Sequence, residues 1–412
     1  MILSKNIKKK GLNFMKIKEI KEKIKIGIDK IGFAMPNYYL DIRDLATARG
    51  IEPDKFTKGL LQLEMSIPPV SQDIVTLGAQ AAYDILDKDD LEKIDMIIVG
   101  TESGVDQSKA SSVFIHGLLD IQPFVRAIEV KEACYGATAA LDFAKNHVMN
   151  NPESKVLVIA SDIAKYGVKS SGESTQGAGS CAMLVSSNPR ILEFNNDNVC
   201  LTRDVMDFWR PNYSQYAFVE GRFSTEQYLD CLTTTWGRFV EKSQNKLSDF
   251  SAVCLHLPYP KLGLKGLTLL LEQAEEEKKE ELLARFNESI LYSQRVGNIY
   301  TGSLFLGLLS LLENNTTLEA GNKIALYSYG SGAVAEVFSL TLVEGYKDQL
   351  RNNRFDDFAK RTRISVDEYE KMFFRDTTVD EEGNLDISDI KDESRFVLEK
   401  IENHKRVYKK QF

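Results

Sequence analysis

The sequence of 412 residues has no run of about 20 consecutive apolar residues, which a membrane-spanning helix needs. Its five cysteines, Cys134, Cys181, Cys200, Cys231 and Cys254, include no C-x-x-C pair, so neither a disulfide framework nor a zinc knuckle is indicated. A P-loop, a G-x-G-x-x-G run after a strand and an H-E-x-x-H motif are all missing. These absences argue against nucleotide hydrolysis and Rossmann cofactor binding, and we expect no metal site.

Basic residues are fewer than acidic ones: the chain has 52 lysines and arginines and 60 aspartates and glutamates, which gives a net charge of −8. This balance argues against a nucleic-acid or anionic-membrane binder. Hydrophobic residues make up 43% and charged residues 27%, as in a soluble globular protein with a sizeable core. The length suggests two or three packed units.

Lysine is concentrated at the N terminus. The first 25 residues hold nine lysines, no arginine and no apolar run, which fits neither a secretory signal nor a transit peptide. We expect residues 1–23 to form a solvated lysine-rich extension. Few, widely spaced cysteines point to a reducing compartment, and we expect a cytoplasmic location.

Apolar strand-like runs alternate with helical segments along the chain, which predicts an α/β protein. Ile94–Gly100 and Phe124–Val130 are predicted strands, and a helix is predicted from about Cys134 to Met149. The second half shows the same alternation of strands and helices, with a helix predicted over Lys261–Lys278 and a strand over Lys323–Tyr329. Beyond about residue 348 the chain is strongly charged, and we expect surface helices and turns there rather than a site.

A short internal similarity suggests two related halves. Gly177-Ala178-Gly179-Ser180 opens an apolar strand in the first half, and Gly330-Ser331-Gly332-Ala333 opens one in the second. We therefore predict an N-terminal half over residues 24–187 and a C-terminal half over residues 188–412.

Cys134 has the strongest case for chemistry among the cysteines. It lies in Glu132-Ala133-Cys134-Tyr135-Gly136, after a predicted strand and at the predicted start of a helix. The positive end of a helix dipole lowers the pKa of a thiol, so we expect an activated thiolate. Its small neighbours leave room for an acyl group at the sulfur. The alternative interpretation is a buried structural cysteine.

Two further polar side chains follow predicted buried strands. His256 ends the run Ala252–Leu255, and Glu102 follows the run Met96–Val99. Side chains at such strand ends point into the crevice where open α/β sheets bind ligands. We expect burial to raise the pKa of Glu102 toward the range useful for proton transfer. The alternatives are a hydrogen-bonded core histidine and an acid in a surface loop.

Asn298 and two lysines complete the candidates from spacing alone. Asn298 precedes a predicted helix, where an N-cap role is the alternative. Lys261 and Lys265 are four residues apart and share one helical face just after His256. On an acidic protein this pair can hold phosphate groups, although paired lysines are also common on solvated faces.

Eight segments, taken in order, carry a family resemblance over nearly the whole chain after the extension. They are Gly27-Ile28-Asp29-Lys30, Gly100-Thr101-Glu102-Ser103, Lys131-Glu132-Ala133-Cys134-Tyr135, Glu173-Ser174-Thr175-Gln176-Gly177-Ala178-Gly179, Asp207-Phe208-Trp209-Arg210-Pro211, His256-Leu257-Pro258, Gly297-Asn298-Ile299-Tyr300-Thr301-Gly302-Ser303 and Ser328-Tyr329-Gly330-Ser331-Gly332. In this order they resemble hydroxymethylglutaryl-CoA synthase of the bacterial type, within the thiolase-like superfamily.

The resemblance implies a thiolase-like α/β fold of two similar halves in a layered α-β-α-β-α arrangement, and a homodimer. It also implies an acyltransferase that condenses acetyl-CoA with acetoacetyl-CoA and water. The products are 3-hydroxy-3-methylglutaryl-CoA and CoA, and the reaction belongs to the mevalonate pathway of isoprenoid synthesis. CoA thioesters are the substrates and no cofactor is implied.

The resemblance also implies roles for individual residues. Cys134 matches the nucleophile that takes the acetyl group, Glu102 the acid/base at the acetyl methyl, and His256 the residue that positions acetoacetyl-CoA. Other matches contact the acyl carbonyls (Asn298, Ser331), the CoA thioester (Thr175, Ser224, Lys265, and Lys261 near its phosphates) or support the site as acids (Asp162, Asp207).

Three other interpretations are weaker. A ketoacyl-carrier-protein synthase III shares the fold and a cysteine, histidine and asparagine, but it is expected to lack a glutamate at the position of Glu102. A papain-like protease is excluded because the spacing from Cys134 to His256 and Asn298 is wrong and no C-G-S-C-W-like signature is present. A catalytically inactive thiolase-fold subunit is expected to have lost one of the three reactive residues.

Overall fold

The computed structural model describes residues 24–272 and 274–411, so the predicted extension lies outside the described residues. Strands of these residues form one large mixed sheet and three small sheets. The strands are β1 (Ile26–Ala34), β2 (Tyr38–Asp41), β3 (Glu64–Ile67), β4 (Ile94–Gly100), β5 (Arg126–Val130), β6 (Lys155–Ala164), β7 (Gly177–Ser187), β8 (Leu192–Phe194), β9 (Val199–Thr202), β10 (Phe208–Trp209), β11 (Phe218–Val219), β12 (Ala252–Leu255), β13 (Lys323–Gly330), β14 (Val334–Leu342), β15 (Thr362–Arg363), β16 (Leu385–Asp386), β17 (Phe396–Glu402) and β18 (Lys405–Lys410).

Helices cover the faces of the large sheet. The α-helices are α1 (Ile42–Ala48), α2 (Asp54–Thr57), α3 (Ile74–Tyr83), α4 (Lys88–Lys93), α5 (Ser111–Leu118), α6 (Gly136–Asn150), α7 (Gly221–Ser243), α8 (Pro260–Leu271), α9 (Glu276–Ser289), α10 (Ser293–Val296), α11 (Ser303–Asn314), α12 (Arg354–Lys360) and α13 (Val366–Phe374). Short 3₁₀ turns lie at Glu173–Thr175, Leu247–Asp249, Tyr300–Gly302 and Tyr346–Gln349.

The large sheet runs through both predicted halves in the order β12-β13-β14-β8-β1-β7-β6-β4-β5, and β9 pairs with β14. In the first half β4 is parallel to both β5 and β6, whereas β7 is antiparallel to β6. In the second half β12 is parallel to β13, and β13 is antiparallel to β14. The short strand β8 joins the two parts, because it pairs with both β1 and β14.

Three buried clusters show the layering. One packs α3 and α5 on the outer face of the first part of the sheet, and a second packs α7, α8 and α9 on the outer face of the second part. The largest cluster places α6 and α11 between the two parts. This arrangement of layers confirms the predicted thiolase-like α/β fold. The half boundary between residues 187 and 188 stays a prediction.

Most of the predicted elements are present, with ends that differ by a few residues, but the helix predicted over Lys261–Lys278 is wrong. The chain instead forms α8, which ends at Leu271, and a separate α9 that begins at Glu276. The apolar periodicity stops at Leu271 and an acidic stretch follows, so no continuous apolar face exists to hold one long helix. None of the helices among the described residues is long and apolar enough to cross a membrane.

The charged C-terminal region is more deeply integrated than its composition predicts. Its strands β17 and β18 form a hairpin that buries Phe396 and Leu398. Helix α13 buries Tyr369, whose hydroxyl donates a hydrogen bond to Glu173 Oε1 at 3.2 Å. The expectation of surface helices and turns is therefore wrong in part, because this region also forms a hairpin and its few apolar residues are buried against the rest of the fold.

Candidate active site

The three predicted reactive side chains lie at the carboxyl ends of strands. Glu102 follows β4, Cys134 follows β5, and His256 follows β12. The strands of each parallel pair run in the same direction, so their ends meet at one edge of the sheet. The two parts of the sheet bring these ends together from both halves of the chain.

A tight turn presents Cys134. Ala133 has a φ of +39°, a backbone conformation that residues with a Cβ rarely adopt. Helix α6 begins two residues after the cysteine. The Tyr135 hydroxyl donates a hydrogen bond to Glu336 Oε2 on β14 at 2.6 Å. The turn from the first half is thus fixed to the sheet of the second half.

Gly330 allows the two halves to meet beside the sulfur. A Cβ at this position would lie 2.6 Å from the Glu132 carbonyl oxygen and 2.7 Å from Tyr135 Cβ. A glycine is therefore required where β13 ends against the cysteine turn. The next residue, Ser331, faces the same cavity as Cys134.

Cys134 and Glu102 form a hydrogen-bonded pair, in which the thiol Sγ donates to Glu102 Oε1 at 3.1 Å. Burial, followed by the charge of Asp162, raises the pKa of Glu102 to about 8, in the direction predicted from the sequence. Burial and the Glu102 carboxylate raise the pKa of the Cys134 thiol well above its usual value. The predicted lowering by the helix dipole is wrong, because desolvation and a neighbouring carboxylate dominate.

Asp162 holds the Glu102 loop from behind. This fully buried carboxylate accepts hydrogen bonds from the Glu102 backbone N–H at 2.9 Å, Thr101 Oγ1 at 2.8 Å and Ser103 Oγ at 2.8 Å. It also accepts from the Thr301 backbone N–H of the second half at 3.1 Å. Asp162 therefore fixes the backbone of Glu102 relative to both halves.

Asp207 has the corresponding position beside Ser331. Its buried carboxylate accepts hydrogen bonds from Tyr329 Oη at 2.8 Å, the Gly332 backbone N–H at 2.9 Å and Ser224 Oγ at 3.1 Å. These bonds fix the turn that carries Ser331. The Ser224 hydroxyl hydrogen is taken by Asp207, so toward a ligand Ser224 can offer its oxygen as an acceptor.

His256 and Asn298 are both buried, 2% exposed each, and both line the cavity. Burial lowers the pKa of His256 to about 3, so its ring is neutral near pH 7. Asn298 Nδ2 donates to Tyr166 Oη at 2.7 Å, and its Oδ1 accepts from the Tyr300 backbone N–H at 2.9 Å. An amide nitrogen carries two hydrogens, so one remains for a carbonyl oxygen in the cavity.

The cavity encloses about 340 Å³. Six of the predicted site residues line it, namely Cys134, Thr175, Ser224, His256, Asn298 and Ser331. Glu102 contacts the sulfur of Cys134, and the two buried aspartates lie behind the walls. This volume and its mixture of apolar and polar walls suit a small acyl group and the end of its carrier.

The predicted phosphate lysines lie outside the cavity. Lys261 is half-buried and Lys265 is exposed, both on α8, whereas Leu262 of the same helix lines the cavity. The pair therefore flanks the cavity wall instead of facing the reacting atoms. Its role toward CoA phosphates stays a prediction.

Comparison with known proteins gives the family. Residues 22–190 match the N-terminal domain of hydroxymethylglutaryl-coenzyme A synthase, and residues 195–283 and 273–411 match its C-terminal domain. The chain belongs to the hydroxymethylglutaryl-CoA synthase family. A hydroxymethylglutaryl-CoA synthase of Enterococcus faecalis is 51% identical over 385 residues, which cover 93% of this chain and 99% of the relative.

Solved structures agree with this family assignment. A crystal structure of an HMG-CoA synthase complexed with CoA has a TM-score of 0.93 and 55% identity, and the match covers 94% of this chain and all of that chain. The MvaS protein in complex with 3-hydroxy-3-methylglutaryl coenzyme A has a TM-score of 0.86 and 31% identity, over 95% of this chain and all of that chain.

Four further residues that shape the site were not among the predicted site residues. Tyr166, Phe208 and Tyr300 line the cavity with their rings, and Arg210 donates a hydrogen bond from Nη2 to the Glu102 carbonyl oxygen. Phe208, Arg210 and Tyr300 lie in segments that carry the family resemblance, which was the available signal. Tyr166 lies in the loop after β6, and no pattern in the sequence points to it.

Proposed function

We propose that this chain is a hydroxymethylglutaryl-CoA synthase that condenses acetyl-CoA with acetoacetyl-CoA. The observation that carries the proposal is the 3.1 Å contact between the Cys134 thiol and the Glu102 carboxylate, beside a cavity that also presents His256 and Asn298. A thiol supplies covalent catalysis, and a carboxyl group whose pKa is raised to about 8 is, once ionised, a stronger base than an ordinary glutamate.

The first step transfers an acetyl group. The Cys134 sulfur attacks the carbonyl carbon of acetyl-CoA, the thiol proton passes to Glu102, and the bond to the CoA sulfur breaks. The CoA thiolate leaves with a proton, so Glu102 is a carboxylate again when CoA departs. Contact between the thiol and the carboxylate supplies the path for this proton.

The second step forms the carbon–carbon bond. Glu102 removes a proton from the methyl of the acetyl thioester, and the resulting carbanion attacks the ketone carbon of acetoacetyl-CoA. The ketone oxygen takes up a proton, which balances the proton that Glu102 removed. A neutral His256 donates a hydrogen bond to that oxygen, since its pKa of about 3 keeps the ring uncharged.

Water completes the reaction. It adds to the thioester at Cys134, the carbon–sulfur bond breaks, and a carboxyl group and the free thiol result. The tetrahedral oxyanion of each acyl step needs fixed donors in a dry site. The remaining Asn298 amide hydrogen and Ser331 are the donors we assign to it.

We assign no cofactor, because a thiol, a carboxylate and an imidazole suffice for these steps. We also propose a cytoplasmic homodimer. Strand β5 is the edge of the large sheet, and Ile128 on it and Phe124 beside it are 36% and 88% exposed, which favours pairing with a second copy.

The test is an assay of free CoA thiol released from acetyl-CoA with and without acetoacetyl-CoA. We expect release that depends on acetoacetyl-CoA and a product with the mass of hydroxymethylglutaryl-CoA. Cys134→Ala should abolish both, whereas Cys200→Ser, which changes an exposed cysteine, should keep them. Thiol release without that product would contradict the proposal. Light scattering of the purified chain tests the dimer.

A further inference from the structure

Three aromatic rings form one wall of the cavity beside Cys134. The ring centroids of Tyr166, Phe208 and Tyr300 lie 5.9–6.1 Å apart in all three pairs, and each pair meets edge to face at 61–82°. Such geometry is the favourable one for aromatic pairs. The three rings therefore make a closed triangle rather than three separate side chains.

Polar bonds fix two of the rings. Tyr166 Oη accepts a hydrogen bond from Asn298, and the Tyr166 backbone N–H donates to Gln176 Oε1 at 2.7 Å. The Tyr300 backbone N–H donates to Asn298 Oδ1, and Tyr300 is only 3% exposed. Movement of either tyrosine would break bonds to the amide that faces the reacting carbonyl.

Phe208 is the third side of the triangle and has no polar atom in its side chain. It lies on β10, between the buried Asp207 and Trp209, and is paired with Val219 of β11. Successive side chains of a strand point to opposite faces. Phe208 accordingly lines the cavity, while Trp209 stacks on Phe218 away from it at 5.8 Å between centroids.

We infer that this aromatic triangle limits the acyl group on Cys134 to two carbons, and that Phe208 sets the limit; the inference rests on the proposed function. The methyl of an acetyl group on Cys134 must lie near the Glu102 carboxylate that deprotonates it. The three rings line the same cavity as the Cys134 sulfur. A propionyl group adds one methylene there, and fixed rings cannot give way to it.

The test compares acylation of Cys134 by acetyl-CoA and by propionyl-CoA in wild type and variants, followed by intact-protein mass spectrometry. One methylene in a well-packed pocket changes discrimination by about 10–200-fold. Phe208→Ala should therefore raise the propionyl-to-acetyl ratio of rate constants by at least about tenfold. Trp209→Ala, the matched change on the other face of the same strand, should leave the ratio within about twofold.

Phe208→Leu covers the case in which the alanine variant fails to fold, and it should shift the ratio in the same direction by a smaller factor. An unchanged ratio in folded Phe208 variants that still take up acetyl would overturn the inference, as would an equal rise in Trp209→Ala. Failure of wild type to acetylate Cys134 would instead contradict the proposed function. The two failures are distinguishable because wild type with acetyl-CoA is measured alone.

Discussion

Replacing Glu102 by glutamine should separate the two halves of the reaction. The change keeps the shape of the side chain and a possible acceptor for the Cys134 thiol, but it removes the base. In acetylation the thiol proton that passes through Glu102 ends on the CoA sulfur, and it can also reach that sulfur through solvent. Condensation instead needs a positioned base that removes a weakly acidic methyl proton. We expect Glu102→Gln to form acetyl-Cys134 and to lose condensation.

The magnitude follows from general base catalysis, which contributes about 10²–10⁴-fold. With a pKa of about 8, roughly one Glu102 in ten is a carboxylate at pH 7, and most are at pH 9. The condensation rate of wild type should therefore rise about tenfold between these pH values. The glutamine variant has no such group, so the ratio of wild-type to variant rates should grow by the same factor.

The assay measures acetyl-enzyme by mass spectrometry and product by chromatography on the same samples, at pH 7, 8 and 9. Glu132→Gln is the matched control, because it changes a half-buried carboxyl two residues from Cys134, whereas the hydrogen bond from the thiol goes to Glu102. Condensation at a near-normal rate in Glu102→Gln would refute the mechanism. Equal loss of both steps would show that Glu102 acts on the thiol proton alone.

Three further predictions address substrate binding and stability. The double variant Lys261→Ala/Lys265→Ala should raise KM for the CoA thioesters more than it lowers kcat, because phosphate contacts stabilise substrate and transition state about equally. Steady-state kinetics check this, with Lys88→Ala as an exposed control. His256→Ala should slow condensation far more than acetylation; equal effects in single-turnover assays would contradict the assigned role. Glu313→Gln should lower the free energy of unfolding by about 3–5 kcal/mol, because it breaks the ion pair between Glu313 and Arg354, whose two side chains are 2% and 3% exposed. Urea unfolding measures the loss, with the surface variant Glu281→Gln as control.

The sequence could predict the strand ends because both signals are local. A continuous apolar run followed by a polar residue marks a buried strand and the residue at its end, as at Glu102 and His256. The order of these segments carried the family resemblance. The fold determines which of these segments lie close together in space. In the structure, Cys134, His256 and Asn298 line the same cavity.

The electrostatics of the site could not be predicted in the same way. The pKa of Cys134 depends on desolvation and on a carboxylate 32 residues away in sequence, and neither appears in the local pattern around the cysteine. The integration of the C-terminal region was missed for a related reason. Tyr369 lies between charged residues of α13, and its hydroxyl reaches Glu173, two residues from Thr175 in the cavity wall.

Hydrogen bonds between the two halves fix the positions of the reactive side chains relative to one another. The first half supplies the thiol and the base, and the second supplies His256, Asn298 and Ser331. Tyr135 donates to Glu336 of the second half, and Asp162 accepts from Thr301, so each reactive turn is fixed by a residue from the other half. Misplacement of reacting groups by about 1 Å can cost on the order of 100-fold in rate. The buried bonds across this boundary should therefore be as sensitive to substitution as the reactive side chains that they hold in place.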